Sequence, residues 1–304
     1  MWGVIRIRMD IAYDGTEFHG WAKQPGLRTV QGELEQALNT LLVRSFAKDQ
    51  ADRQVIHIAV AGRTDTGVHA SHQVTHFDVQ EEQLQRCVGY LDLDGIEALQ
   101  HRLRRILPDD IAILGLERAP KGFDARFSAL DRTYVFRIVD SECTPDPRLR
   151  NCVLAIEGHL DVAAMNQAAQ CCVGLHDFGS FATPNPGGTT IRKVRLVEWQ
   201  RISEASPNAS EYRLTFPGMI VFKIVADAFA HNMVRSLVKA CVSIGLGKRD
   251  ARWFECKLNA PLREGSTGPI DPRGLTLERV EYPPDAQLAA RAAKIRAKRT
   301  LLDD

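Results

Sequence analysis

The order in which hydrophobic patterns change along the chain constrains the fold most strongly. In the first 120 residues, alternating polar and apolar residues predict strands, and apolar residues three and four positions apart predict helices. Thr29 is a suitable N-cap for the first helix, and Pro108 ends the second. The predicted order is strand VIRIRMDIAY, helix TVQGELEQALNTLL, strands VIHIAVAG and HQVTHFDV, helix GIEALQHRLRRI and strand DIAILGLERA.

The second half repeats this order of elements with little identity of residues. It contains strand RTYVFRIV, helix DVAAMNQAAQCCVGL, extended segments TIRKVRLVEWQRI and YRLTFPGMIVFKIVADAF, helix NMVRSLVKACVSIGLG and strand LTLERVEY. A strand, helix, strand, strand, helix, strand order is typical of ferredoxin-like folds. We therefore predict an α+β protein of two ferredoxin-like or RRM-like halves with mixed, mostly antiparallel sheets. The free sheet faces are expected to form a central cleft.

Turn-forming residues and charge divide the chain into three expected segments. Pro120-Lys121-Gly122 marks a boundary between an N-terminal α+β domain, 1–120, and a C-terminal one, 121–284. A basic tail, 285–304, follows. It carries five basic residues with no acid among them: Arg291, Lys294, Arg296, Lys298 and Arg299. A second basic cluster is Arg102, Arg104 and Arg105. Such runs are usually solvated helix faces, but a polyanion such as RNA also needs them.

Composition favours a globular protein over a membrane-spanning, secreted or disulfide-rich one. The 304 residues are 44% hydrophobic and 25% charged with a formal net charge of +1, which is the balance of a globular protein. No apolar run approaches the roughly 20 residues that span a membrane, and the N-terminus lacks the apolar core of a signal peptide, so we expect a cytoplasmic protein. The seven cysteines form no CxxC pair, which disfavours both a disulfide framework and a zinc site.

One acidic residue has a setting that suits catalysis. In AGRTDTGVHA, residues 61–70, the chain leaves a predicted strand and turns at Gly62 and Gly67, which would project Asp65 from the strand end. Aspartate in such a turn often bonds only its own backbone. Arg63, two residues earlier, has no evident structural need for its charge, and this favours a functional carboxylate.

Metal binding and serine catalysis are the alternatives at this point. His69, His72 and His76 lie close together in the sequence, and imidazole is a common metal ligand. On a strand, however, His72 and His76 would lie roughly 13 Å apart, too far to hold one ion. A serine nucleophile lacks its usual sign, since no GxSxG elbow occurs.

Two further stretches could contribute to a site. RTYVFRI places Tyr134 and Phe136 on one strand face, where aromatic rings are usually core but can also stack on a base. AFAHNMVRSLV opens a helix with His231 and Asn232 near its start and Arg235 one turn later. An arginine there usually faces solvent, and one that reaches a buried carboxylate would be more unusual.

Taken together, these stretches resemble the TruA family of tRNA pseudouridine synthases. The matching motifs run in order along nearly the whole chain: YDGTEFHGW, TVQGELEQAL, AGRTDTGVHA, LPDDI, FDARFSALDRTYVFRI, HDFGSF, AFAHNMVRSLV and GLTLERVEY. The aspartate motif is the most specific of them. The resemblance implies the pseudouridine synthase fold and a cofactor-free isomerisation of uridine in the anticodon stem-loop of tRNA, at positions 38, 39 and 40 in the family.

The resemblance also assigns roles to individual residues. It implies that Asp65 is the catalytic nucleophile, which attacks either the sugar or the base. Arg235 would be the partner of this carboxylate, Arg63 would hold the RNA backbone or fill the space of the flipped nucleotide, and Tyr134 would pack on the target uracil. Thr64, next to Asp65, is included among the substrate-binding residues. No metal and no cofactor are implied. The expected partners are tRNA and, in a homodimer, a second copy of the chain.

Four positions depart from the family's usual pattern. Thr66 replaces an alanine, Asn232 a histidine, Phe136 a tyrosine and Arg104 an asparagine. Because Asp65 and its two expected partners are retained, we expect activity. Two other hypotheses are a non-catalytic RNA-binding or RNA-chaperone protein on the same fold, and a metal-dependent hydrolase that uses the three histidines.

Overall fold

The computed structural model describes residues 3–44, 55–185, 188–203 and 214–295. The chain forms two compact units. Unit 1 comprises the described residues of Met1–Leu130 and Arg279–Arg296, and unit 2 those of Asp131–Glu278. The end of the predicted basic tail, residues 296–304, lies outside the described residues. The division expected from the sequence, 1–120, 121–284 and 285–304, stays a prediction.

Unit 1 contains a four-stranded antiparallel sheet with helices. Its elements are β1 (Val4–Tyr13), α1 (Val30–Asn39), β2 (Ala59–Val60), β3 (His69–Gln80), α2 (Glu81–Arg86), α3 (Gly95–Ile106), β4 (Ile111–Arg118) and the late helix α7 (Leu288–Ile295). β1 pairs with both β3 and β4, and β2 pairs with β3, so the order is β4-β1-β3-β2. The first strand thus lies between the third and the fourth, as in ferredoxin-like folds.

Unit 2 repeats this topology with additions. Its elements are β5 (Asp131–Val139), β6 (Leu154–Ala155), α4 (Val162–Ala169), β7 (Gly174–Asp177), β8 (Ile191–Arg201), β9 (Ile220–Ala226), α5 (Met233–Gly245), α6 (Ala251–Asn259) and β10 (Leu275–Glu281), whose last residues belong to unit 1. The strand order is β10-β5-β9-β8-β7, and the short β6 pairs in parallel with the end of β5. The α+β prediction with two similar halves is confirmed.

Buried apolar side chains of the strands form the core of both units, and on β1 they alternate with less buried residues. On β1, Ile7, Met9 and Ile11 are completely buried, while the residues between them are only partly buried. In unit 2, Phe136 pairs in register with Phe222, which lies beside Trp199 with ring centroids 4.7 Å apart. Burial of such side chains contributes roughly 1.5–3 kcal/mol each.

Three sequence-based assignments are wrong in extent. The extended segment predicted for YRLTFPGMIVFKIVADAF is reduced to β9, and its first two residues lie outside the described residues. The strand predicted for VIHIAVAG is reduced to Ala59–Val60. The amide of Ile56 donates to the side chain of Asn39 (2.9 Å), and that of Ile58 donates to Glu35 (3.2 Å). These amides are therefore bonded to side chains of α1 instead of a neighbouring strand.

The helix predicted for DVAAMNQAAQCCVGL ends at Ala169, followed by a 3-10 turn at Gln170–Cys172. Gly174 has a φ of +114°, which a helix cannot accommodate, and it begins β7.

Candidate active site

The loop that carries Asp65 connects β2 to β3 and is anchored to the segment that follows β1. The amide of Trp21 donates to the carbonyl oxygen of Thr64 (3.0 Å), and the amide of Gly67 donates to that of Phe18 (3.2 Å). Bonds on both sides of Asp65 therefore tie the loop to one stretch of chain. The backbone that carries the Asp65 carboxylate is held in place by these tertiary hydrogen bonds.

A buried group of polar side chains supports the same loop. The hydroxyl of Tyr13 lies 2.8 Å from that of Thr64, and the amide nitrogen of Gln73 donates to the carbonyl oxygen of Gly62 (2.7 Å) and to the Tyr13 hydroxyl (3.5 Å). All three side chains are buried. Burial raises the pKa of Tyr13 to about 12, so its hydroxyl keeps its proton at neutral pH.

Two glycines allow the segment after β1 to approach the loop closely. Gly20 has a φ of +83°, and a Cβ there would lie 3.0 Å from the carbonyl oxygen of Thr64 and 3.2 Å from the amide nitrogen of Thr66. A Cβ on Gly15 would overlap the backbone of Val68. Both positions require glycine because the backbone of the Asp65 loop occupies the space of a side chain.

His69 anchors the end of the loop. Its Nδ1 lies 3.0 Å from the amide nitrogen of Gly15 and 3.1 Å from a carboxylate oxygen of Asp14. A protonated Nδ1 donates to Asp14, and an unprotonated Nδ1 accepts from Gly15. The bond from His69, together with bonds from the hydroxyl and amide of Thr16, lowers the pKa of Asp14 below its usual value.

The residues around Asp65 differ in their exposure. Asp65 is partly buried, Thr64 is buried, and Arg63 and Thr66 are exposed. The structure thus brings the three predicted residues of this motif together on one short loop of unit 1. Because Arg63 is exposed beside a partly buried carboxylate, it is accessible to a polyanionic ligand.

Unit 2 carries the other two predicted residues on regular elements. Tyr134 lies on β5, pairs in register with Ile224 and is only 6% exposed. Its ring packs edge-on against Phe229, with centroids 5.0 Å apart and planes at 85°. Edge-to-face packing fixes the plane of the ring, so the strand and Phe229 together determine its orientation.

Arg235 lies in the first turn of α5 and is partly buried. Its Nε donates to the carbonyl oxygen of Ile270 (2.7 Å), and one terminal nitrogen donates to the side-chain oxygen of Asn232 (3.2 Å). The amide nitrogen of Asn232 in turn donates to the hydroxyl of Thr183 (2.9 Å). Asn232 has a φ of +64°, a conformation that asparagine tolerates better than most residues. This departure from the family pattern therefore orients the guanidinium.

The other departures have separate structural settings. Phe136 is completely buried, and a Cβ on Gly274 would collide with its ring. Arg104 donates through Nε (3.3 Å) and a terminal nitrogen (3.0 Å) to the carbonyl oxygen of Ile113. Its neighbour Arg102 bonds the carbonyl oxygen of Cys87 (2.7 Å). Two of the three arginines in the predicted basic cluster thus also hold backbone carbonyls.

The three histidines of the metal hypothesis have different partners. His72 lies 3.1 Å from Asp10, and His76 accepts from the amide of Ala125 (3.0 Å), while His69 contacts the segment after β1. Burial lowers the pKa of His76.

Among the described residues, one group of ligand-type side chains lies within 4.8 Å: Asp140, Glu142 and His159. Arg201 donates to both carboxylate oxygens of Asp140 (3.0 and 2.7 Å), so a guanidinium already occupies that position.

Sequence reasoning singled out Asp65, Tyr134 and Arg235, whose roles stay predictions, and it did not indicate the residues that support the loop. Tyr13 and Gly20 belong to the motif YDGTEFHGW, which marked the resemblance without suggesting a role. Nothing in the sequence marks Gln73 as a supporting residue, because it is one polar residue of a strand in which polar and apolar residues alternate. Their importance becomes visible only when the loop and these side chains are placed together.

The helices in the described ranges are all too short or too polar to cross a lipid bilayer. A family model described as tRNA pseudouridine synthase matches residues 168–283. A protein of Bifidobacterium longum named tRNA pseudouridine synthase A is 56% identical over 304 residues, covering 97% of this chain and 99% of that protein. Proteins of the same name from Streptomyces griseus and Cutibacterium acnes are 42% and 40% identical, and cover 98% and 97% of the chain and 95% of each relative.

Proposed function

Because the chain belongs to the tRNA pseudouridine synthase A family, we propose that it isomerises uridine to pseudouridine in the anticodon stem-loop of tRNA, with Asp65 as nucleophile. The observation that carries the proposal is the position of Asp65, partly buried on a loop whose backbone is bonded on both sides of it. A nucleophile must be held in a reactive direction, and such anchoring supplies this.

The reaction needs no change of oxidation state. The bond between C1′ of the ribose and N1 of uracil breaks, the base rotates, and C5 is joined to C1′. The hydrogen of C5 leaves as a proton, and N1 gains one, so atoms and charge balance without a co-reactant. Asp65 attacks either the sugar or the base. Both routes require an ionised carboxylate, and both release the C5 hydrogen.

The other site residues are proposed to assist this carboxylate and to hold the RNA. On the family resemblance, Arg235 is the cation that assists the catalytic carboxylate, since a guanidinium favours the charged form of a carboxyl group. Tyr134 packs on the target uracil, whose stacking offsets part of the few kcal/mol that base flipping costs. Arg63 contacts the phosphate backbone or fills the space of the flipped nucleotide. Thr64 shapes the substrate pocket beside Asp65.

The remaining expectations concern partners and location. The protein binds tRNA largely by shape and phosphate contacts, so its affinity falls as salt rises. It acts as a homodimer in the cytoplasm. A solution mass of two chains by light scattering is expected, and a single-chain mass at working concentration would contradict the dimer.

Tritium release tests the reaction directly. The wild-type protein is incubated with tRNA labelled at C5 of uridine, with and without EDTA, and released tritium is measured together with pseudouridine in the digested RNA. We expect release in step with pseudouridine formation. Binding of tRNA without release would instead favour the RNA-binding alternative, and release abolished by EDTA would favour a metal-dependent reaction.

A further inference from the structure

Tyr13 occupies a position where only its hydroxyl distinguishes it from an ordinary core residue. The ring is 5% exposed and lies 6.2 Å from the ring of Trp21, so phenylalanine would fill the same volume. A buried hydroxyl costs free energy unless it is bonded. Its partner here is the hydroxyl of Thr64, 51 positions away and adjacent to Asp65.

The amide of Gln73 has a defined direction in this group. Its oxygen accepts from the backbone of Val74 (3.2 Å), so its nitrogen faces the carbonyl oxygen of Gly62 and the Tyr13 hydroxyl. An amide nitrogen only donates, so the Tyr13 oxygen accepts there, while in the bond between the Tyr13 and Thr64 hydroxyls either oxygen can donate. Burial raises the pKa of Tyr13, which keeps its hydroxyl protonated.

The group holds the loop immediately before the carboxylate. Gln73 fixes the carbonyl of Gly62, Tyr13 fixes the side chain of Thr64, and the Trp21 amide fixes the Thr64 carbonyl. Asp65 is the next residue. Side-chain and backbone bonds on the same residue leave Thr64 little rotational freedom, and the backbone direction at Thr64 determines where Asp65 points.

We propose that Tyr13 is a positioning residue whose hydroxyl, through Thr64, sets the direction of the Asp65 carboxylate. The inference rests on the proposed function and adds to it a residue that does not touch substrate. It also gives Thr64 a role beyond its predicted place in the substrate pocket. Since misplacement of a reacting group by about 1 Å can cost 10²-fold in rate, loss of the bond should lower kcat.

The experiment compares Tyr13→Phe, Thr64→Val and the double variant in the tritium-release assay. We expect each single variant to lose about 10- to 100-fold in kcat. For Tyr13→Phe, the KM for tRNA and the Kd for tRNA should stay within about twofold, because Tyr13 does not touch substrate. The double variant should lose no more than the worse single variant, because both substitutions remove the same bond.

Two further variants separate positioning from general loss of structure. Tyr90→Phe removes a hydroxyl from a tyrosine that is 88% exposed, and it should match the wild type. Thr64→Ser keeps a hydroxyl and should retain a higher kcat than Thr64→Val. If Tyr13→Phe does not fold, this comparison of Thr64 variants still tests the same hydrogen bond.

Three results would overturn the inference: a kcat of Tyr13→Phe within twofold of wild type, a change in KM instead of kcat, or losses that multiply in the double variant. A wild-type protein that releases no tritium would instead refute the proposed function.

Discussion

Units 1 and 2 share a topology but present their predicted site residues in different ways. Unit 2 carries Tyr134 on a strand and Arg235 on a helix, where regular hydrogen bonding fixes the backbone. Unit 1 carries Asp65 on an irregular loop, which is fixed by bonds to residues around Tyr13–Trp21. A regular element orients a side chain by local repetition, whereas a loop does so only through contacts from distant parts of the chain. The loop should therefore be more sensitive to changes in residues that never touch substrate.

Apart from Asp65 itself, the largest effect is expected at Arg235 in unit 2. Arg235→Met removes the proposed cation and should lower kcat/KM by about 10²- to 10³-fold, since loss of a charged group from a partly buried site typically costs several kcal/mol. Arg235→Lys keeps the charge but loses the planar set of donors, so its kcat/KM should lie between those of the wild type and Arg235→Met. Arg252→Met, on the exposed side of α6, is the matched control. Steady-state tritium release measures all three, and an Arg235→Met rate within threefold of wild type would remove Arg235 from the site.

A pair of glycines tests whether the unit 1 loop depends on its support. Gly20 and Gly26 both have positive φ, +83° and +72°, so alanine should cost about 1 kcal/mol of stability at either. Only Gly20 lies against the Asp65 loop, and nothing lies within 4 Å of a Cβ on Gly26. We expect Gly20→Ala to lower kcat by about 10- to 100-fold and Gly26→Ala to leave it unchanged. Equal rates for the two variants would show that the loop tolerates displacement.

Asn232 offers the corresponding test in unit 2. Asn232→Gly keeps the positive φ accessible but removes the amide that contacts Arg235 and Thr183. Because Ile270 and the helix still hold the guanidinium, kcat should fall only about 3- to 10-fold, as expected for one lost hydrogen bond. Asn232→Asp retains the acceptor for Arg235 and should recover part of the loss. If the glycine variant turned over at the wild-type rate, the amide would have no orienting role.

The smallest effect concerns the acid stability of unit 2. Burial alone would raise the pKa of Asp140, but bonds from Arg201 and from the amides of Leu160 and Glu142 outweigh it and lower the pKa to about 2. A lowered folded-state pKa stabilises the protein above the unfolded value of about 4, and this stability is lost as pH falls towards 2. We expect about 1 kcal/mol, measured as the pH dependence of urea unfolding, to disappear with Asp140→Asn.

The less buried pair of Asp146 and Arg148 is the control for this measurement. A bond from Arg148 also lowers the pKa of Asp146 to about 2, but Arg148 is exposed and Asp146 is only partly buried, so solvent screens the pair. Asp146→Asn should therefore change the pH dependence less. An equal change in both variants would mean that burial does not strengthen the pair.

The sequence predicted the elements whose apolar residues recur with a regular period. Ile7, Met9 and Ile11 alternate strictly, so β1 was predicted correctly, and α5 follows from the apolar spacing of NMVRSLVKACVSIG. The strand in VIHIAVAG was predicted too long because the amides of Ile56 and Ile58 donate to side chains of α1. The apolar character of the run cannot reveal these bonds. Asp65 could be proposed as the nucleophile from its motif. The roles of Tyr13, Gly20 and Gln73 could not, because they depend on contacts between residues far apart in sequence.

The most direct test of the proposed nucleophile compares wild type with Asp65→Asn, measuring tritium release and tRNA affinity on the same preparations. The substitution keeps the size of the side chain and removes its charge, so the loop bonds of Thr64 and Gly67 should persist. We predict that kcat falls by at least about 10³-fold, as for other lost nucleophiles, while the Kd for tRNA changes less than about threefold. An Asp65→Asn protein that still releases tritium at a rate near that of wild type would contradict the assignment of Asp65.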